Sequence, residues 1–200
     1  YDLRLAGLPV TVFEAEAEPG GMLRYGITPY RLPREILAAE IGVLERAGVE
    51  IRTGVRLGTD VELDELRGRG YKAVVLAVGA QTGRKLGVPG EEGVRAVQDA
   101  LTFLRRVNGG DLRSAGRNVL VIGGGSTAVE AARTARRLGA ATVQILYRRS
   151  QDELLAGAEE VEAAEAEGIR FRFLVAPSRV LTEGDRLVGL ECKNVGLGAA

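Results

Sequence analysis

The residues with the clearest chemical spacing are glycines. Gly123, Gly125 and Ala128 fit the pattern G-x-G-x-x-G/A, directly between the apolar run NVLVI and a stretch that begins STAVEAAR. In a strand–turn–helix setting each position has a task. The first glycine makes the tight turn, the second lets a pyrophosphate approach the backbone, and the small Ala128 lets helix and strand pack closely. The phosphates then rest on the helix N-terminus, whose unpaired N–H groups and dipole favour an anion. Gly123, Gly124, Gly125, Ser126, Thr127 and Ala128 are therefore the candidate phosphate cradle. A tight turn without a ligand is the competing reading of the same residues.

A second group qualifies the first. Twenty positions after Ala128, where a site for an unphosphorylated ribose places Asp or Glu, the chain has Arg148 and Arg149 at the end of ILYRRS. A carboxylate there would repel a 2′-phosphate, whereas guanidinium groups bind it through charge-assisted, often bidentate, hydrogen bonds. The pair therefore points to NADP(H) over NAD(H). The alternative is that both arginines face water or answer the acidic residues that follow. In the first half, Glu14 closes the run PVTVFE, where an adenosine ribose diol would be held; an ordinary strand-end acid is the other reading.

Composition removes most other chemistry. The 200 residues contain no histidine and one cysteine, Cys192, which excludes Ser-His-Asp and Cys-His arrangements, histidine metal sites and CxxC redox pairs. Cys192 reads as a small buried apolar residue. Lys and Arg total 27, as do Asp and Glu, so no net field draws the chain to nucleic acid or an anionic membrane. No apolar stretch approaches the roughly 18 residues of a membrane span. One unpaired cysteine and no leader fit the cytoplasm. Glycine, at 28 residues, is about twice as frequent as the roughly 7% typical of proteins.

The elements that would position these groups alternate strand and helix. Residues 1–7 read as a helix end closed by Gly7, so the chain begins inside an element and is read as an internal part of something longer. Residues 8–14, 49–53 and 73–78 read as buried parallel strands, 34–48 as a helix entered through Pro33, and ELDELRGRG as a short helix. EAEPGGMLRYGITPYRLP reads as a loop. Residues 97–107 are expected to be helical and NGGDLRSAGR to be a linker. Beyond it follow a strand at 118–122, a helix at 128–138, a strand at 141–147, one acidic helix at 152–167 and strands near 169–174 and 187–194. The acidic helix reads as a solvated face, with a docking role as the alternative. This alternation gives an α/β class with parallel sheets of Rossmann-like type, organised as two related nucleotide-binding halves.

Three segments together carry a resemblance: VFEAEAEPGGMLRYGITPYRLPREIL, VVLAVGAQTGRKLGVPGEEG and VLVIGGGSTAVEAARTARRLGAATVQILYRRS. In this order, over nearly the whole chain, they resemble the NADPH-oxidising flavoprotein (small, beta) subunit of glutamate synthase and its relatives. The resemblance implies residues 1–107 as a partial FAD-binding domain without its first strand and glycine fingerprint. Residues 108–200 would be an NADP(H)-binding domain, inserted in or following it. It further implies that Glu14 holds the FAD adenosine ribose, and that Gly20, Gly21, Met22, Leu23 and Arg24 pass along the pyrophosphate and ring side. Val55 would meet the adenine through its backbone, Gly79 and Ala80 would approach FAD at the crossover, and Arg148 and Arg149 would take the NADPH 2′-phosphate.

The implied activity takes a hydride from NADPH onto FAD and passes electrons to iron–sulfur clusters, which lie in other segments or in a partner such as a larger catalytic subunit. No catalytic side chain is expected, because the cofactors carry this chemistry. The sequence departs from the family in Ser126, where Asn is usual, in Val129 and Glu130 for Met-Asp, and in Leu154 and Leu155 for Met-Pro. A different class of function, a nucleotide-binding or regulatory module without flavin, is separated from the enzyme by colour: oxidised flavin absorbs near roughly 450 nm. A thioredoxin-reductase-like enzyme would need a thiol pair that the chain lacks.

Overall fold

The structure is a computed structural model and describes residues 1–196. The chain divides into two compact units, Tyr1–Gln81 and Thr82–Ala200.

In the first unit, helix α1 (Asp2–Leu5) leads through Gly7, at φ +80°, into strand β1 (Val10–Phe13). The segment read as a loop contains a short helix, α2 (Gly21–Tyr25), entered at Gly20 with φ +128°, a conformation that glycine adopts without strain. Helix α3 (Arg34–Arg46) follows Pro33 and ends at Gly48, φ +88°. Strand β2 (Val49–Arg52) then pairs in parallel with β1, Val10 opposite Val49 and Phe13 opposite Arg52. Helix α4 (Leu63–Gly68) buries Leu66. Tyr71 packs edge-on against Phe13, ring centroids 5.9 Å apart.

Residues 73–78 depart from expectation. They form no strand, and Val75 is 79% and Val78 65% exposed. A parallel strand exists only through ladder bonds from a neighbour, and among the described residues none pairs with this run.

In the second unit three parallel strands run in the order β3 (Asn118–Ile122), β4 (Thr142–Leu146), β5 (Arg170–Arg172). Helix α6 (Ser126–Arg137) connects the first two and α7 (Ala158–Ala166) the second two. Alanines make α6 a close-packing helix. Ala128, Ala131, Ala132 and Ala135 recur at i, i+3, i+4 and i+7 and are all buried, so one stripe of small side chains meets Val143 and Ile145 of the sheet. Helix α5 (Ala100–Asn108) starts one turn later than expected, because Asp99 caps it by accepting from the Thr102 N–H at 3.0 Å. Its Phe103 and Leu104 belong to the same core, and the partly buried Leu112 and Ala115 pack against it. The stretch read as a linker, NGGDLRSAGR, is therefore packed within the second unit, and α5, expected in the first domain, lies in that unit too.

Two further differences have local causes. The acidic stretch is not one helix: a single 3-10 turn (Gln151–Glu153) is separated from α7 by an extended segment, in which the Leu155 and Ala156 N–H groups donate to the Gly124 carbonyl at 2.9 and 3.0 Å. Those donors are thereby withdrawn from a continuous helix. The chain after β5 is an antiparallel hairpin of β6 (Val175–Glu183) and β7 (Arg186–Asn194), where one strand near 187–194 and only parallel pairing were expected. Pro177, which has no N–H to give a ladder, sits at an irregularity in the register between Pro177 and Arg179.

The candidate dinucleotide site

The turn after β3 has the form its glycines require. Gly123 has φ +142°, and its N–H donates to the Leu146 carbonyl at 3.0 Å, tying the end of β3 to the end of β4. Gly125 is the N-cap of α6, in extended conformation, and no atom lies within 4 Å of the place where a Cβ would stand. Space is therefore open where a dinucleotide fingerprint needs backbone to meet phosphate. A Cβ on Gly123 would lie 3.3 Å from that of Ala128, the close approach that a small residue at the sixth position allows.

Ser126 and Thr127 form the exposed first turn of a twelve-residue helix, and their N–H groups have no acceptor among the described residues. Dipole and free donors alike would favour an anion at this helix start. The residues fit a pyrophosphate.

Arg148 and Arg149 leave β4 at the same sheet end. Ile122, the residue before the turn, is register partner to Leu146, two residues before Arg148. Both arginines are exposed. Arg149 Nη1 lies 4.0 Å from Glu153 Oε1, whereas Arg148 has no ion pair among the described residues. Glu153 is itself engaged, since its Oε2 accepts from the Ser150 N–H and hydroxyl at 3.1 and 3.0 Å.

Sequence reasoning missed the aromatic residue between these motifs. Tyr147 is buried and its hydroxyl donates to the Glu153 carbonyl at 2.9 Å. The usable signal was Gly124, a glycine at a fingerprint position that requires none.

In the first unit the strand ladder brings Glu14 and Val55 together. The Glu14 N–H donates to the Arg52 carbonyl at 2.9 Å, and the Val55 N–H donates to the Glu14 carbonyl at 2.9 Å. That uses the Val55 donor and leaves its carbonyl to meet a ligand. One Glu14 carboxylate oxygen accepts from the Glu16 N–H at 2.9 Å, and the other has no partner among the described residues, as a ribose diol would need. Gly21, at φ +50°, opens α2 with free space beside its Cα. Met22 is half-buried and Leu23 exposed, and Leu23 and Ile27 offer their carbonyls to Arg34. Arg24 is committed locally: its Nε donates to the Pro19 carbonyl at 2.8 Å and its guanidinium pairs with Glu18. Gly79, at φ +67°, and Ala80 are exposed near the C-terminal end of this unit.

Cys192 is half-buried in β7, and burial pushes its thiol above the ordinary range. A single thiol does not hold an iron–sulfur cluster, which takes several cysteine ligands. Among the described residues there is no group of three or more Cys, Asp or Glu placed to hold a metal ion, and no helix long and apolar enough to cross a membrane.

The chain is 44% identical over 200 residues to the NADP(+)-dependent formate dehydrogenase subunit beta of Moorella thermoacetica, covering 99% of this chain and 28% of that protein. It is 38% identical over 205 residues to the putative glutamate synthase [NADPH] small chain of Cereibacter sphaeroides, covering 98% and 49%. The chain thus spans less than half the length of either relative. Among solved structures, FprA from Mycobacterium tuberculosis superposes with a TM-score of 0.76 at 21% identity, over 95% of this chain and 61% of that one, which shows the shared Rossmann-like α/β fold. The family model for pyridine nucleotide-disulphide oxidoreductases matches residues 2–196, and the chain belongs to that family.

Proposed function

We propose that the chain is the nucleotide- and flavin-binding part of an NADPH-dependent flavin oxidoreductase of the glutamate synthase small-subunit type. The observation that carries this reading is the open Gly125 at the head of α6, with Arg148 and Arg149 leaving the neighbouring strand end. In this reading Gly123, Gly124, Gly125, Ser126, Thr127 and Ala128 hold the NADP(H) pyrophosphate, and the two arginines hold its 2′-phosphate. Glu14, Gly21, Met22, Leu23, Arg24, Val55, Gly79 and Ala80 hold FAD. When bound, the two cofactors supply hydride transfer followed by release of single electrons.

The chain's own residues do the binding and orienting. Backbone N–H groups of the α6 first turn neutralise phosphate, Ala128 keeps the helix close to the sheet, and the guanidinium groups select the phosphorylated ribose. No side chain moves a proton. Iron–sulfur clusters would have to be carried outside these residues, in other segments or in a partner such as a larger catalytic subunit, and would supply the one-electron exit. The reading places the enzyme in the cytoplasm.

The test uses the full-length protein under anaerobic conditions, with NADPH added while absorbance near roughly 450 nm is followed. Bleaching by one equivalent of NADPH per flavin is the expected result. Colourless protein that still binds NADPH would replace this reading with that of a binding module.

A further inference from the structure

Gly124 stands at a position of the fingerprint that leaves residue type free, and its φ lies outside the left-handed region, so neither the turn nor a phosphate requires glycine there. What requires it is Tyr147. A Cβ on Gly124 would lie 2.5 Å from Tyr147 Cε2, 2.6 Å from Cζ and 2.7 Å from Cδ2, closer than such atoms approach.

The ring has little room to yield. Tyr147 is 8% exposed, its hydroxyl donates to the Glu153 carbonyl at 2.9 Å and its N–H to the Arg172 carbonyl at 2.9 Å. Its own carbonyl accepts from the Val175 N–H at 3.1 Å. Gly124 is fastened from its other side as well, because its carbonyl accepts from both Leu155 and Ala156 N–H groups. Residues 148–154, Arg148 and Arg149 among them, thus span two anchors that both bear on Gly124: the Tyr147 ring before them and the two amides after them.

We infer that Tyr147, seated on Gly124, is a positioning residue that sets the two arginines against the phosphate turn and so sets the choice between phosphorylated and unphosphorylated nucleotide. The inference rests on the NADP(H) reading above. Tyr147 touches no nucleotide in this account; it acts through Arg148 and Arg149. The readout is therefore selectivity, the ratio of the NAD+ to the NADP+ dissociation constant. A merely structural residue would leave that ratio unchanged while lowering the melting temperature.

Calorimetric titration of the full-length protein with the two oxidised nucleotides tests it. Gly124→Ala is expected to reduce the ratio at least tenfold. Tyr147→Phe, which removes one hydrogen bond and adds no atom, is expected to reduce it roughly two- to tenfold. The double variant Gly124→Ala with Tyr147→Ala should show the ratio of Tyr147→Ala alone, because removing the ring removes the clash. A ratio unchanged in both Gly124→Ala and Tyr147→Phe would overturn the inference, as would equal weakening of both nucleotides. If Gly124→Ala does not fold, Tyr147→Phe decides. A native protein that binds NAD+ as tightly as NADP+ would instead remove the NADP(H) reading, and the inference with it.

Discussion

Replacing Arg148 by alanine should weaken NADP+ binding more than replacing Arg149, although the two are neighbours of the same type. A hydrogen bond from a charged donor to a phosphate contributes about 1.5–3 kcal/mol. At 1.4 kcal/mol per factor of ten, Arg148→Ala is expected to weaken NADP+ binding by about 12- to 140-fold. Arg149 already lies 4.0 Å from Glu153, both side chains being more than a third exposed. That pair is worth at most about 1 kcal/mol, and Arg149 must share or leave it to reach a phosphate. Arg149→Ala should therefore be milder by about fivefold, the equivalent of that 1 kcal/mol. NAD+ affinity should stay within about twofold for both variants, since neither arginine meets a group that NAD+ has, and the NADP+ losses should shrink as salt screens the charges. Fluorescence or calorimetric titration at two salt concentrations gives all four constants. Equal losses for NADP+ and NAD+, or a larger loss for Arg149 than for Arg148, would refute the reasoning.

Other substitutions test the frame around the site. Glu167 accepts from Arg133 at 2.7 and 3.0 Å and from Arg137 at 2.7 Å, joining the C-terminal ends of α6 and α7. Glu167→Ala leaves Arg133, only 15% exposed, without that partner, and urea unfolding should show a loss of about 1.5–3 kcal/mol. Burial pushes the Glu167 carboxyl up, but the hydrogen bonds from Arg137 and Arg133 outweigh it and hold the carboxyl below its ordinary value. With the folded value depressed, this stabilisation is present above the ordinary value and is lost as pH falls through the depressed one. The stability gap between native protein and Glu167→Gln should accordingly be full above the ordinary carboxylate range and close as pH falls through the depressed value. A gap that widens with acid would contradict the geometry. Asp99→Ala removes the cap of α5 and should destabilise by about 1 kcal/mol in the same assay, with Asp99→Asn milder.

The glycine turn and its arginines were legible in sequence because their requirements are local. Gly123 needs a left-handed backbone, Gly125 needs open space, and Arg148 follows a strand whose end is marked by its own residues. What failed was set by partners distant in sequence. The run 73–78 has the composition of a buried strand, but pairing depends on a neighbour that composition does not supply. The strand β6 was hidden by Pro177 and Ser178, which argue against a strand unless a register irregularity accommodates the missing donor. The break between the 3-10 turn and α7 was hidden because its cause is the carbonyl of Gly124, some thirty residues earlier. In the first unit the Glu14 strand end was readable, but the ladder bond that takes up the Val55 N–H was not.

Gly125→Ala asks whether the open backbone of Gly125 is where a dinucleotide phosphate meets this chain. The residue is extended and nothing lies within 4 Å of its Cβ position, so alanine fits the folded protein without strain and the melting temperature should hold. A methyl group there would stand in the space assigned to the phosphate. An unchanged melting temperature is expected, with NADP+ and NAD+ both bound at least tenfold more weakly in a calorimetric titration. Unchanged affinity for both nucleotides in the folded variant would contradict it.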